Sequence, residues 1–223
     1  MNVPLQKKSR IQGSSTTSSA TQAQQLLQTV KQLNRVTAVL ETQTKYDEAL
    51  AQAQTALENL TKAKIHFSST TTVTLELQVL ANLGRLQRIL GNYAQGQQFF
   101  LQAIHLAQTE AADQQILIPL SNELAMLYKY WGHFEAAERI YHNLLTTLLA
   151  RYGANHLAVA KVYHNLAGLE HARRCYDKAE PLARKSYQLH LQLLGKQHPD
   201  TIADGAALGA ILQGLKQWDE AID

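Results

Sequence analysis

Apolar and small residues recur along this chain in a fixed order, with polar residues between them. An aromatic followed three positions later by a small residue returns five times: Tyr46/Ala49, Tyr93/Gly96, Phe134/Ala137, Tyr176/Ala179 and Trp218/Ala221, with successive aromatics 47, 41, 42 and 42 residues apart. Ten residues before each aromatic stands a Leu or Val (Val36, Leu83, Leu124, Leu166, Leu208), followed directly by a small residue or Thr (Thr37, Gly84, Ala125, Ala167, Gly209). Seven residues after the small member of the aromatic pair comes Ala56, Ala103, Leu144 or Ser186. Between the halves the second and third units read Gly91-Asn92-Tyr93 and Gly132-His133-Phe134, where Gly supplies the positive φ of a helix C-cap. Each unit is therefore predicted to be helix, tight turn, helix, and a long fixed period of such units marks a stacked array.

The register predicts helix pairs near 22–43 and 46–66, 74–90 and 93–109, 114–131 and 134–151, and 156–173 and 176–194, then a partial fifth unit over 200–223. A Ser/Thr-rich connection, Ser68 to Thr72, explains the longer first interval. Asp200 or Thr201 is expected to cap the last full helix. The fifth unit stops a few residues into its second helix, which calls for a longer chain, a partner or a second copy over the last apolar face.

A period near 42 suits armadillo-type and HEAT units of about 40–47 residues better than the common tetratricopeptide unit of about 34. The internal pattern decides otherwise, because Leu-Ala or Leu-Gly followed by Gly-x-aromatic-x-x-Ala resembles the tetratricopeptide (TPR) consensus. The stretch from Tyr152-Gly153 through His156 to Asn165-Leu166-Ala167, echoed by Leu194-Gly195 and His198-Pro199-Asp200-Thr201-Ile202-Ala203, is similar to the 42-residue TPR subtype of kinesin light chains. The likeness is close over residues 115 to 223 and looser over 22 to 110. It implies an all-α fold, a right-handed superhelical solenoid of antiparallel helix pairs spanning 21–223, with about four full repeats and a partial fifth.

Composition changes this picture little. Four prolines, 45% hydrophobic residues and 7% aromatics suit helices. No apolar run approaches the roughly 18 residues of a membrane helix, and the N-terminus lacks the core of a signal peptide, so no membrane partner is expected. The single cysteine, Cys175, rules out an internal disulfide framework and suits a cytoplasmic location. Charge is uneven: residues 1–20 carry Lys7, Lys8 and Arg10 and no acid, while the rest balances 18 basic against 18 acidic residues. The tail, with its Gly13-to-Ser19 run, is expected to be disordered, and a neutral body gives no footprint for nucleic acid.

The TPR resemblance implies an inner groove lined by the first helix of each pair. Register positions around the recurring Leu put Asn34, Arg35, Asn82, Arg85, Asn122, Glu123, Met126, His164 and Asn165 on that face, with Arg88, Lys129, Tyr130, Lys161 and His171 one turn away or at a helix start. Amides both donate to and accept from an extended backbone, while Arg, Lys and His favour acidic groups. The expected role is a non-enzymatic scaffold binding a somewhat acidic peptide segment, alone or as the TPR part of a larger regulatory protein. The alternative is a sensor whose superhelix changes shape around a peptide or effector. Kinesin light chain repeats place Asn before the Leu-Ala pair, matched by Asn82 and Asn165 but not by Arg35, Glu123 or Ala207. The set of side chains that grips chaperone tails in other TPR proteins is met only by Lys161, so that partner is not expected.

No catalytic residue, metal ligand or cofactor is predicted. His164, His171 and Cys175 share helical spacing but fall short of a zinc ligand set. No phosphate-binding glycine motif, nucleophile elbow or zinc-hydrolase motif occurs. Asp47-Glu48 and Asp219-Glu220 open second helices, where negative charge offsets the helix dipole.

Overall fold

The computed structural model describes residues 12–65, 70–110 and 114–217. These hold nine helices and no strand: α1 (Gln12–Thr42), α2 (Tyr46–Lys64), α3 (Thr70–Ile89), α4 (Tyr93–Thr109), α5 (Gln114–Trp131), α6 (Phe134–Tyr152), α7 (Leu157–Ala172), α8 (Tyr176–Leu194) and α9 (Pro199–Gly214). The chain forms two compact units, Met1–Ala112 and Asp113–Asp223. In the first, α1 packs on α2, α3 on α4 and α2 on α3; in the second, α5 to α9 pack in sequence. In both, first helices also touch first helices: α1 with α3, α5 with α7, and α7 with α9.

The repeat positions do what their chemistry suggests. Ala49, Ala137 and Ala179 are fully buried, as are Ala56 and Ala103 one heptad on, while Tyr46, Tyr93, Phe134 and Tyr176 cover them half-buried at the turns. Leu83, Leu124 and Leu166 are core residues. Gly84 is small because a Cβ there would stand 2.8 Å from the Phe100 ring of α4, and Gly214 likewise lies under Tyr176. Val36 departs from the register, remaining 37% exposed while its neighbour Thr37 is buried and bonds its hydroxyl to the Leu33 carbonyl at 2.9 Å. Among the described helices α1 meets only α2 and α3, and neither covers the Val36 side.

Every described inter-helix turn within a repeat uses one geometry. The residue two before the opening aromatic is left-handed: Thr44, Gly91, Gly132, Arg174 and Lys216 have φ of 58, 80, 85, 60 and 62°. The next amide reaches back five residues, as in Asn92 N to Gln87 O at 2.8 Å and Cys175 N to Glu170 O at 2.9 Å, the bond of a Schellman cap. Gly91 and Gly132 behave as expected, whereas the other three turns hold the same φ with side chains that disfavour it.

Three boundaries differ from expectation. α1 begins at Gln12, so residues 12–20 of the tail expected to lack structure are helical: a helix already nucleated over its packed portion extends cheaply through Ser, Thr, Ala and Gln. α3 begins at Thr70, taking in the end of the expected Ser68–Thr72 connection, because Thr72 and Leu75 are buried on its inner face. α9 begins at Pro199 and is capped by His198, whose Nδ1 accepts from Asp200 N at 3.2 Å, rather than by Asp200 or Thr201. Pro at the first helical position needs no hydrogen-bond partner, which sets the start there. His156 caps α7 in the same way, accepting from Ala158 N at 3.1 Å, so the recurring His is a helix-starting device. Trp218/Ala221 and the expected second helix of the fifth unit lie outside the described residues.

Candidate interaction surfaces

The face made by the first helices is laced by side-chain pairs that repeat with the fold. Asn82 Nδ2 donates to Asn34 Oδ1 at 3.4 Å, and Asn165 Nδ2 donates to Asn122 Oδ1 at 2.6 Å. In each case the residue just before the recurring Leu joins the residue two before it in the preceding repeat. These amides are therefore partly spent on holding helices together, a role that competes with binding an extended peptide.

In unit 1 the network runs further. Glu41 accepts two bonds from Arg85, at 2.8 and 3.0 Å, and the Arg85 guanidinium also donates to Asn82 Oδ1 at 3.1 Å. Arg85 is thus held by an internal acid. Arg88 is half-buried on the last turn of α3. Beside this network a hollow of about 690 Å³ opens between α1 and α3, lined among others by Lys31, Asn34, Arg35, Gln78 and Asn82.

In unit 2 a cavity of about 450 Å³ is walled by α5 to α9. Ile118, Met126, Leu144, Leu148 and Val162 make it apolar, and Asn122, Lys161, His164 and Asn165 stand on its walls. Five of the expected groove residues are brought together here: Asn122, Met126, Lys161, His164 and Asn165. Lys129, Tyr130 and His171 lie outside it. The Lys129 Nζ sits 4.9 Å from the centroid of the exposed Tyr130 ring and 3.5 Å from where a Cβ on Gly168 would be. His171 packs edge-on to Tyr176 with 5.5 Å between ring centroids.

The cavity wall holds a cluster that the repeat pattern does not reveal. Asp204 of α9 is buried and faces three donors: His164 Nδ1 on Oδ1 at 2.5 Å, and His190 Nδ1 at 2.7 Å and Ser186 Oγ on Oδ2. The Ser186 hydroxyl also lies 3.0 Å from Ala160 O, but its one proton goes to the charged acceptor. Burial alone would raise the Asp204 pKa; the bonds from His164, Ser186 and His190, with the charge of His164, outweigh it and hold the carboxyl below its ordinary value. The carboxylate sits between serine and imidazole, so the order differs from the Ser-His-Asp relay that activates a nucleophile. Two signals could have flagged this cluster. Asp204 is a lone acid amid Ile202, Ala203, Gly205, Ala206 and Ala207, and Ser186 fills a slot held elsewhere by Ala or Leu.

A second polar cluster ties α6 to α7. Arg173 donates to Glu138 at 2.7 Å and Glu170 at 2.8 Å, with its guanidinium 5.7 Å from the Phe134 centroid. Burial works against the Arg173 charge, but both carboxylates overcome it and raise its pKa further. Among the described residues no group of three His, Cys, Asp or Glu is arranged to hold a metal; His164 is turned to Asp204, and Cys175 Sγ to Arg173 O at 3.8 Å. None of the described helices is long and apolar enough to cross a membrane.

Two family profiles, each described as tetratricopeptide repeat, match residues 158–223 and 77–110. The chain is a tetratricopeptide repeat protein. Its all-α TPR fold is also that of solved kinesin light chain-like structures. BtubC (BKLC) from P. vanneervenii superposes with a TM-score of 0.71 at 20% identity, covering 93% of this chain and 84% of that one. The nearly identical TPR-like repeats of a Podosopora anserina protein named for kinesin light chain superpose with TM-scores of 0.63 and 0.62 in two structures, at 16% and 14% identity. Each covers 86% of this chain and is itself covered to 89%. A sequence search among curated proteins gives no match. TPR repeats generally mediate protein–protein interactions, and the sites of this TPR protein are read in that light.

Proposed function

We propose that this TPR protein is a non-enzymatic scaffold that binds an extended, somewhat acidic segment of another protein on the face made by its first helices. The observation that carries the reading is the unit 2 cavity, where an apolar hollow is edged by Asn122, Asn165 and the exposed Lys161. Apolar walls take a side chain of the segment, amides meet its backbone and the ammonium meets an acid. Tyr130, 56% exposed beside Lys129, adds a rigid aromatic at the same helix layer. The test is affinity capture with the full chain beside a Lys161→Glu/Met126→Arg variant whose helicity and melting match the parent. A captured protein lost only with the variant supports the reading; one retained equally by both refutes it for this cavity.

A second reading rests on the size of that cavity, since about 450 Å³ lies within the roughly 300–1,000 Å³ of small-ligand sites. In it, an effector fills the hollow and pulls α9, held through Asp204, against α7 and α8. Compaction on ligand addition, read by small-angle scattering, separates this sensor from a scaffold of constant shape.

A further inference from the structure

Exposed apolar side chains are not spread evenly over unit 2. Five of the seven large hydrophobics exposed among its described residues, Leu149, Tyr152, Leu157, Leu191 and Leu193, fall within two short stretches, 149–157 and 191–193. The repeat relates these stretches, since Leu149 and Leu191 stand 42 residues apart at equivalent positions of α6 and α8. Both helices end, and α7 and α9 begin, at the loops between repeats, so the five side chains share one edge of the unit. Scattered singly such residues mean little, but gathered at one edge they mark a contact surface.

Charge is sorted between the two edges as well. Among the described residues of α6 to α9, Glu135, Glu138, Glu170, Asp177 and Glu180 lie beside the turns inside the repeats, at the opposite edge. Residues 139–169 and 181–199 contain no acid. Arg151 and Lys196 stand exposed at the loops between repeats. The one acid those helices bring to this edge, Asp200 in the first turn of α9, has its Oδ2 3.9 Å from His198 Nδ1. Tyr152 is held in place there, its ring stacked on His156 at 4.2 Å between centroids and the Arg151 guanidinium 5.4 Å from its centre.

The chemistry of the edge selects its occupant. A second copy would set Arg151 and Lys196 against their own kind. A partner helix docks its apolar face in a groove, whereas these side chains stand at helix ends and loop corners. A flat surface with negative charge over an apolar interior meets them all: leucines enter the acyl boundary, a tyrosine rests at headgroup depth and long cations reach the phosphates.

We propose that the inter-repeat edge of unit 2 docks on an anionic lipid surface, with Leu149, Leu191 and Leu193 entering it, Tyr152 at the interface and Arg151 and Lys196 as counter-charges. The contact is peripheral, and it uses an edge rather than the face of the first helices, so it stands apart from the peptide-binding reading.

The test is flotation of the full chain with vesicles of phosphatidylcholine alone and of phosphatidylcholine mixed with phosphatidylserine. Binding to the mixed vesicles is expected to exceed binding to phosphatidylcholine by roughly twenty-five-fold, about fivefold for each of the two cations. Arg151→Gln/Lys196→Gln, which alters exposed side chains, is expected to remove that preference with melting unchanged. Leu149→Asp/Leu191→Asp is expected to lower binding to both vesicles about tenfold; if it also lowers melting, the charge variant decides. Two controls separate the edge from charge in general. Arg174→Gln/Lys178→Gln takes two exposed cations from the opposite edge, and Lys7→Gln/Lys8→Gln/Arg10→Gln neutralises the N-terminal tail. Both are expected to keep the preference for phosphatidylserine. Absence of that preference in the parent, its survival in Arg151→Gln/Lys196→Gln, or an equal loss in either control overturns the proposal. Capture of a soluble Glu/Leu amphipathic helix by this edge, with no vesicle binding, assigns the edge to a protein and overturns it too.

Discussion

Replacing Asp204 by Asn tests whether one buried carboxylate holds α9 onto its neighbours. Among the described helices α9 packs only on α8 and α7, and Asp204 supplies side-chain bonds to both, through Ser186 and His190 of α8 and His164 of α7. His164 is 41% exposed at its side chain and adds little, but Ser186 and His190 are buried with the acid. Asn keeps the volume yet presents an NH2 to one of these donor groups and carries no charge. Two charge-assisted bonds at about 1.5–3 kcal/mol each, reduced by what Asn retains, give an expected loss of about 3 kcal/mol. The assay is urea unfolding by circular dichroism together with hydrogen exchange resolved to α9 and α5. The α9 amides should lose protection by the larger factor, because the lost bonds are local to its docking. The pH dependence has a definite sign. The folded pKa of Asp204 is lowered, so its stabilisation is present above the unfolded value of about 3.9 and is lost as pH falls through the folded pKa. The gap between parent and Asp204→Asn should therefore narrow only in that acid range. A loss under about 1 kcal/mol, or a gap unchanged down to the acid limit, refutes the clasp.

Thr44→Gly and Arg174→Gly should each raise stability by about 1 kcal/mol, since both residues hold left-handed φ and Thr is β-branched; unchanged or lower urea midpoints count against the strain argument. Gly84→Ala should cost about 1–3 kcal/mol by driving a methyl into the Phe100 ring, with a melting shift as the readout and a neutral effect as the contrary result. Arg173→Met should destabilise by about 3 kcal/mol, because it strands the buried Glu170 beside Glu138, and an added Glu170→Gln change should recover part of the loss.

The repeat was legible because its physics is local. A buried Ala or Gly under an aromatic, a Leu ten residues earlier and a turn that needs positive φ are all set by helical spacing, so α4, α5 and α8 begin where the register places them. Misjudged starts have local causes of their own. His156 and His198 act as caps, a role more often met by Ser, Thr or Asp, and α1 runs back to Gln12 through residues that neither favour nor oppose a helix strongly.

The candidate sites were legible only in part. Asn122, Met126, Lys161, His164 and Asn165 share the unit 2 cavity because the register fixes which face of α5 and α7 they occupy. Which of the polar residues stay available to a ligand is a different matter. Arg85 and the Asn ladder meet partners 43 to 48 residues away, and Asp204 meets His164 40 residues away. A sequence by itself determines the period, the helix pairs and the faces they present, since these follow from spacing within a single turn or pair. Only the tertiary structure decides which charges are spent on neighbours and which remain open, because pairing depends on distances across stacked helices that no local pattern contains.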